Sequence, residues 1–126
     1  MPQRIVVVDD DKEVQEIITF ALRRNGFEVA VAGNGQQLQD MLATQTPDLV
    51  ILDVMMPGLD GYQIFGNLRK NAATQSVPVI IMTAHAEDIY ERISIDLGAA
   101  VHITKPFHPL ELVDKVRGLL RSLTDE

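Results

Sequence analysis

Apolar runs and amphipathic stripes take turns along the chain. Ile5-Val6-Val7-Val8 is β-branched and apolar at every position, which suits a central strand covered on both faces. Residues 27–32 alternate and predict a lighter second strand. Residues 48–53, 77–82 and 100–104 predict a third, fourth and fifth. Pro78 stands near the start of the fourth, where a missing N–H is tolerated.

The stretches between carry a helical period. Val14, Ile17, Ile18, Ala21 and Leu22 fall on one stripe, with Asp11 placed to cap it and Gly26 to end it after Arg23 and Arg24. A short second helix is expected around Leu38, Met41 and Leu42, opened by Asn34 in the Gly33-Asn34-Gly35 turn and closed by Pro47. Residues 62–71 predict a third, with Ile64, Phe65 and Leu68 inward and Gly66 weakening it. A fourth is expected over residues 86–97. There Ile89, Ile93 and Leu97 stack, Ile95 lies off the stripe, and Gly98 follows as a stop. The last begins near Pro109, a residue suited to the first helical position. Leu112, Val113, Val116, Leu119, Leu120 and Leu123 form its apolar face.

Strict strand–helix alternation, with no repeat or internal linker, predicts one α/β domain over residues 1–126. It has three layers and a parallel sheet in the order 2-1-3-4-5. In that order the carboxyl ends of the strands share one edge. Asp9 and Asp10, Asp53, Thr83 and Lys105 then meet in one crevice. The run Val50-Ile51-Leu52-Asp53 matters most, because an apolar strand stops abruptly at a carboxylate and Pro57-Gly58 follows.

Composition narrows the options. A net charge of −7 argues against nonspecific nucleic-acid binding by this domain. The absence of cysteine removes disulfides, thiolate zinc sites and thiol catalysis. The first apolar run, four residues long, is too short for a signal peptide or a membrane span, so a cytoplasmic protein is expected.

Carboxylates packed together share protons or hold a cation. Oxygen donors without Cys or His favour a hard ion, Mg²⁺ above others. Asp53 is a competent nucleophile for phosphoryl transfer. Lys105 supplies a fixed cation, Thr83 a hydroxyl donor, and Ala84 is small enough to leave access. Taken singly, Asp9, Asp10 and Asp11 read as helix caps, Thr83 as a strand-end threonine and Lys105 as a surface lysine. Their joint placement carries the chemistry, and Asp11 alone is assigned to capping.

At this point the residues match a family. Val8-Asp9-Asp10-Asp11, Leu52-Asp53-Val54-Met55-Met56-Pro57-Gly58-Leu59-Asp60-Gly61, Met82-Thr83-Ala84 and Ile103-Thr104-Lys105-Pro106-Phe107 stand in order. The chain resembles the receiver domain of bacterial two-component response regulators, over essentially its whole length. The resemblance implies a flavodoxin-like (βα)5 fold and a phosphorylation-dependent signalling switch. Its partner would be a sensor histidine kinase or histidine phosphotransfer protein. Asp53 would be the phosphoacceptor. Asp9 and Asp10 would place Mg²⁺, with the backbone carbonyl of Met55. Thr83 and His102 would be the switch pair, and Lys105 would meet a phosphate oxygen across a cis Lys105–Pro106 peptide. Met55 and His85 would flank the path of attacking water and tune the lifetime of the phosphoryl group. The domain would catalyse its own phosphoryl transfer and dephosphorylation without being a dedicated enzyme.

Three other functions fit parts of the pattern. A flavin-binding electron carrier would want aromatic residues, which make up 5% of the chain with no Trp. An aspartyl-nucleophile phosphatase would use the Asp9–Asp11 spacing but needs a cap insertion. A phosphorylation-independent binding module would not need the intact acidic set. The chain stands alone or is the N-terminal part of a longer regulator. A homodimer is expected through the fourth helix, fifth strand and last helix. Ala100 and Val101 stand where many DNA-binding members carry acidic residues, so that face is expected to be more apolar.

Overall fold

The computed structural model describes residues 2–53, 61–83 and 101–124. Its elements run β1 (Arg4–Val8), α1 (Lys12–Arg24), β2 (Glu28–Ala32), α2 (Gly35–Leu42), β3 (Leu49–Asp53), α3 (Gly61–Lys70), β4 (Val79–Thr83), β5 (Val101–Thr104) and α4 (Pro109–Thr124). The helix expected over residues 86–97, with Ile89, Ile93, Ile95, Leu97 and its stop Gly98, lies outside the described residues. The helix labelled α4 is therefore the C-terminal one.

All pairs are parallel, in the order β2-β1-β3-β4-β5. The period-2 alternation of a strand splits its side chains between two cores. Ile5, Val7, Leu49, Ile51, Ile80, Met82 and Ile103 face α1 and α4, where Ile18, Leu22, Leu112, Val113, Val116 and Leu120 close over them. Val6, Val8, Val50, Leu52, Val79 and Ile81 face α2 and α3, where Leu38, Phe65 and Leu68 cover them. Every residue of β3 and β4 is buried, and full burial of each such aliphatic contributes about 1.5–3 kcal/mol.

The helix ends follow from local chemistry. Asp11 Oδ1 accepts from the amides of Glu13 at 2.9 Å and Val14 at 3.4 Å. Asn34 Oδ1 accepts from Gln37 N at 2.9 Å. Both caps stand where the sequence placed them. α1 ends through Asn25 and Gly26, and Gly26 has φ of 91°, a conformation that only glycine enters freely. Asn25 Nδ2 donates to Ala21 O at 2.7 Å, and Arg117 Nη2 donates to Asn25 Oδ1 at 2.6 Å, tying α1 to α4. Gly35 opens α2 against α3, where a side chain would meet Ile64 Cδ1 at 3.2 Å.

Several of the expected inward residues are only partly buried, and among the described residues one of them is exposed. Ile17 lies on the apolar stripe of α1 but is 44% exposed. It sits at the stripe's edge, beyond the cover that α4 supplies, because α4 begins at Pro109 and its Leu110 is itself exposed.

Candidate functional site

Register brings three of the expected residues together. Val8 pairs with Leu52, so Asp9 and Asp53, the next residues along, come level at the sheet's carboxyl edge. Asp53 pairs with Met82, and Thr83 with Thr104, which sets Lys105 one step beyond Thr83. Alternation then sorts the faces. Asp9, Asp53 and Lys105 continue the series that faces α1 and α4. Thr83 continues the opposite series with Ile81, whose partner across the ladder is His102.

Asp9 is fully buried and Asp53 is 4% exposed, while Asp10 is exposed at the rim. Lys105 Nζ donates to Asp9 Oδ2 at 2.8 Å and to Asp53 Oδ2 at 2.9 Å. Carboxylate oxygens of Asp9, Asp10 and Asp53 lie within 4.8 Å of one another. Burial pushes the Asp9 carboxyl above its ordinary 3.8. The Lys105 and Asp11 N–H donors oppose that shift and the Asp53 charge reinforces it. Burial would lower the Lys105 ammonium from 10.5, but hydrogen bonds and charge from Asp9 and Asp53 outweigh it, and the net shift is upward.

Thr83 is buried, and its carbonyl accepts from Lys105 N at 2.7 Å, so the backbone couples the ends of β4 and β5. His102 is half-buried on the edge strand. The Lys105–Pro106 peptide is cis. Met55, His85, Ala84 and Ala100 lie outside the described residues.

Gln15 was not marked by its residue type. Its Nε2 donates to the backbone carbonyl of Asp9. Side chains on a helix lean toward its N-terminus, so a long polar residue four positions past the Asp11 cap reaches back over the β1–α1 loop. That offset was the available signal. Gln37 does the same for the next loop, its Oε1 accepting from Gly33 N at 2.6 Å.

Beside the site runs an apolar groove of 490 Å³ between α1 and α4, lined by Ile17, Phe20, Ala21, Pro109 and Leu110. Phe20 is 65% and Leu110 60% exposed, and the Arg24 guanidinium lies 5.6 Å from the Phe20 ring centre. A second hollow, lined by Val14, Ile17, Lys105, Pro106 and Phe107, shares Ile17 with it and reaches Lys105.

Chemically, the cluster is a group of carboxylates of which two are bonded, among the described residues, by one lysine. Its donors are all oxygen, their spacing is short, and one carboxylate is wholly desolvated, which fits a hard divalent cation.

Comparison with known proteins agrees with this arrangement. The response regulator receiver domain family matches residues 5–117, and the chain belongs to that family. It is 42% identical over 126 residues to the DNA-binding response regulator MtrA of Mycobacterium tuberculosis (strain ATCC 25618 / H37Rv), covering 100% of this chain and 54% of the relative. It is 40% identical over 121 residues to the regulatory protein VanRc of Enterococcus gallinarum, covering 96% of this chain and 51% of the relative. The chain thus spans about half the length of the curated relatives it matches. Among solved structures, a putative response regulator from Chloroflexus aurantiacus superposes with a TM-score of 0.89 at 33% identity, covering 96% of this chain and 99% of that one. The receiver domain of Francisella response regulator 1452 gives 0.88 at 30% identity, covering 96% and 98%. Among the described residues no helix is long and apolar enough to cross a membrane.

Proposed function

We propose that the domain is a phosphorylation switch in which Asp53 accepts a phosphoryl group from a phosphohistidine donor. The observation that carries this reading is the meeting of Asp53 with Asp9, Asp10 and Lys105 at one strand edge. A carboxylate oxygen of Asp53 attacks phosphorus, the P–N bond breaks, and its electron pair leaves on the donor imidazole, giving an acyl phosphate. Asp9, Asp10 and Asp53 would hold Mg²⁺, with the Met55 carbonyl completing the set. That ion supplies charge neutralisation for the phosphate oxygens. Lys105 meets a phosphate oxygen. Thr83 reads the phosphoryl group through its hydroxyl, and His102, two residues behind on the same sheet face, follows it. Met55 and His85 tune the lifetime of the adduct.

The changed surface comprises residues 86–97, β5 and α4, and serves a partner, a second copy or an output segment. Relatives named as DNA-binding are about twice as long, so in a full-length protein we place DNA binding outside this acidic domain. The donor is a sensor histidine kinase or phosphotransfer protein, which places the domain in the cytoplasm.

Incubation with Mg²⁺ and acetyl phosphate, followed by intact mass measurement, tests the reading. One acid-stable, base-labile phosphate per chain is expected, and none when a chelator replaces the metal. A chain that stays unmodified under both conditions overturns the reading in favour of a binding module.

A further inference from the structure

Gln15 carries no charge and touches no residue expected to meet phosphate, yet it holds the backbone that presents two of the acidic groups. Asp9 lies one residue past the end of β1, where the strand ladder no longer dictates the next peptide plane. Its amide donates to Ala32 O at 3.1 Å, and its Oδ1 accepts from Asp11 N at 2.9 Å. Its carbonyl accepts from Gln15 Nε2. That carbonyl belongs to the peptide joining Asp9 to Asp10. Fixing it fixes the directions in which both carboxylates leave the chain.

The donor is itself well seated. α1 is anchored by Ile18 and Leu22, both fully buried in the core. On its other side Gln15 Nε2 stands 3.9 Å from the position a Cβ would take at Gly33, in the turn that Gln37 closes. Gln15 is thus lodged between the β1–α1 and β2–α2 loops, with one anchored donor aimed at one carbonyl.

We infer that Gln15 is a positioning residue for the acidic pair, setting the Asp9–Asp10 peptide so that the domain's affinity for a divalent cation depends on it. The inference rests on the metal reading above. Groups that orient metal ligands from outside the ligand set typically change affinity by factors of about 10 to 100 when removed.

Gln15→Met and Gln15→Leu keep much of the side chain's bulk and lose the donor. Calorimetric Mg²⁺ titration of each full chain is expected to give a dissociation constant about 10-fold weaker than wild type. Metal-free NMR spectra are expected to place the main amide shift changes at Asp10 and Asp11. Thermal melting without metal separates this role from a structural one. A lowered melting temperature with Mg²⁺ affinity within about twofold of wild type in both variants overturns the inference and leaves the metal reading intact. A wild-type chain that takes up no Mg²⁺ overturns both.

Discussion

Asp53→Asn is expected to melt at a higher temperature than the wild-type domain in metal-free buffer, and to take up no phosphate. The second outcome follows from loss of the nucleophilic carboxylate, the first from the charges around it. Asp9 and Asp53 share a single ammonium, and with Asp10 their oxygens lie within 4.8 Å of one another. Like charges about 4 Å apart repel by about 4 kcal/mol at an effective dielectric near 20. The amide removes that repulsion but keeps an oxygen to accept from Lys105. Two such repulsions, from Asp9 and from Asp10, are relieved against one weakened attraction, about 6 kcal/mol at most for Lys105 at 2.9 Å, so a net gain of roughly 1–2 kcal/mol remains, or a few degrees of melting temperature.

The pH dependence follows the same logic. Burial holds the Asp9 carboxyl above 3.8, so the folded domain binds more protons than the unfolded chain between 3.8 and the raised value. The Asp9 contribution therefore grows more favourable as pH falls through that window. Asp53→Asn, which removes one of the causes of the rise, narrows it. Saturating Mg²⁺ is expected to stabilise the wild type more than the variant, which keeps Asp9 and Asp10 but not the third carboxylate, closing or reversing the gap. Scanning calorimetry with and without metal reads all of this, and a variant that melts at or below wild type in metal-free buffer sinks the repulsion account.

Lys105→Met is expected to act in the opposite direction. It strips both carboxylates of the cation that bonds them at 2.8 and 2.9 Å and leaves Asp9 buried without it. Breaking a buried pair costs up to about 5 kcal/mol, and because the Lys105 side chain is 22% exposed we expect about 2–3 kcal/mol at neutral pH. The lysine's upward shift means that its stabilisation is complete below 10.5 and is lost as pH rises through the raised value. Towards acid the difference from wild type shrinks as the facing Asp9 carboxyl, held above 3.8, takes up its proton. Phosphate uptake from a small-molecule donor should fall about 100-fold, as when a fixed donor to a developing oxyanion is removed. Mg²⁺ should bind the variant more tightly, because Lys105 no longer competes for Asp9. Denaturant unfolding at neutral pH checks the first claim, and equal stability of the two proteins would count against it.

The sequence made the sheet legible because each run of apolar residues had to be covered on both faces, and only a parallel sheet between helix layers does that for β3 and β4. The caps at Asp11 and Asn34 were legible because short polar side chains before an apolar stripe have few other uses. The convergence of Asp9, Asp53 and Lys105 came from strand order and motif together. Ile17 went the other way. A stripe reports which side of a helix is apolar, not how far its neighbour reaches, and the cover over α1 runs out at Leu110. Gln15 was hidden for a different reason. A neutral polar residue on a helix ordinarily reads as solvated surface, and its role depends on a loop carbonyl that no side-chain pattern encodes. The proposed roles of Met55 and His85 concern positions outside the described residues.

The groove beside the site is also expected to bear on how copies of the chain meet. Phe20, Ile17 and Leu110 offer an attraction felt only at contact, on a chain whose net charge is −7. The repulsion between copies reaches outward over the screening length, about 8 Å at physiological ionic strength. In colloidal terms the molecule is a sticky spot behind a soft barrier, and salt lowers the barrier without touching the spot. Self-association followed by light scattering should therefore climb as salt is added, the reverse of a contact held by ion pairs.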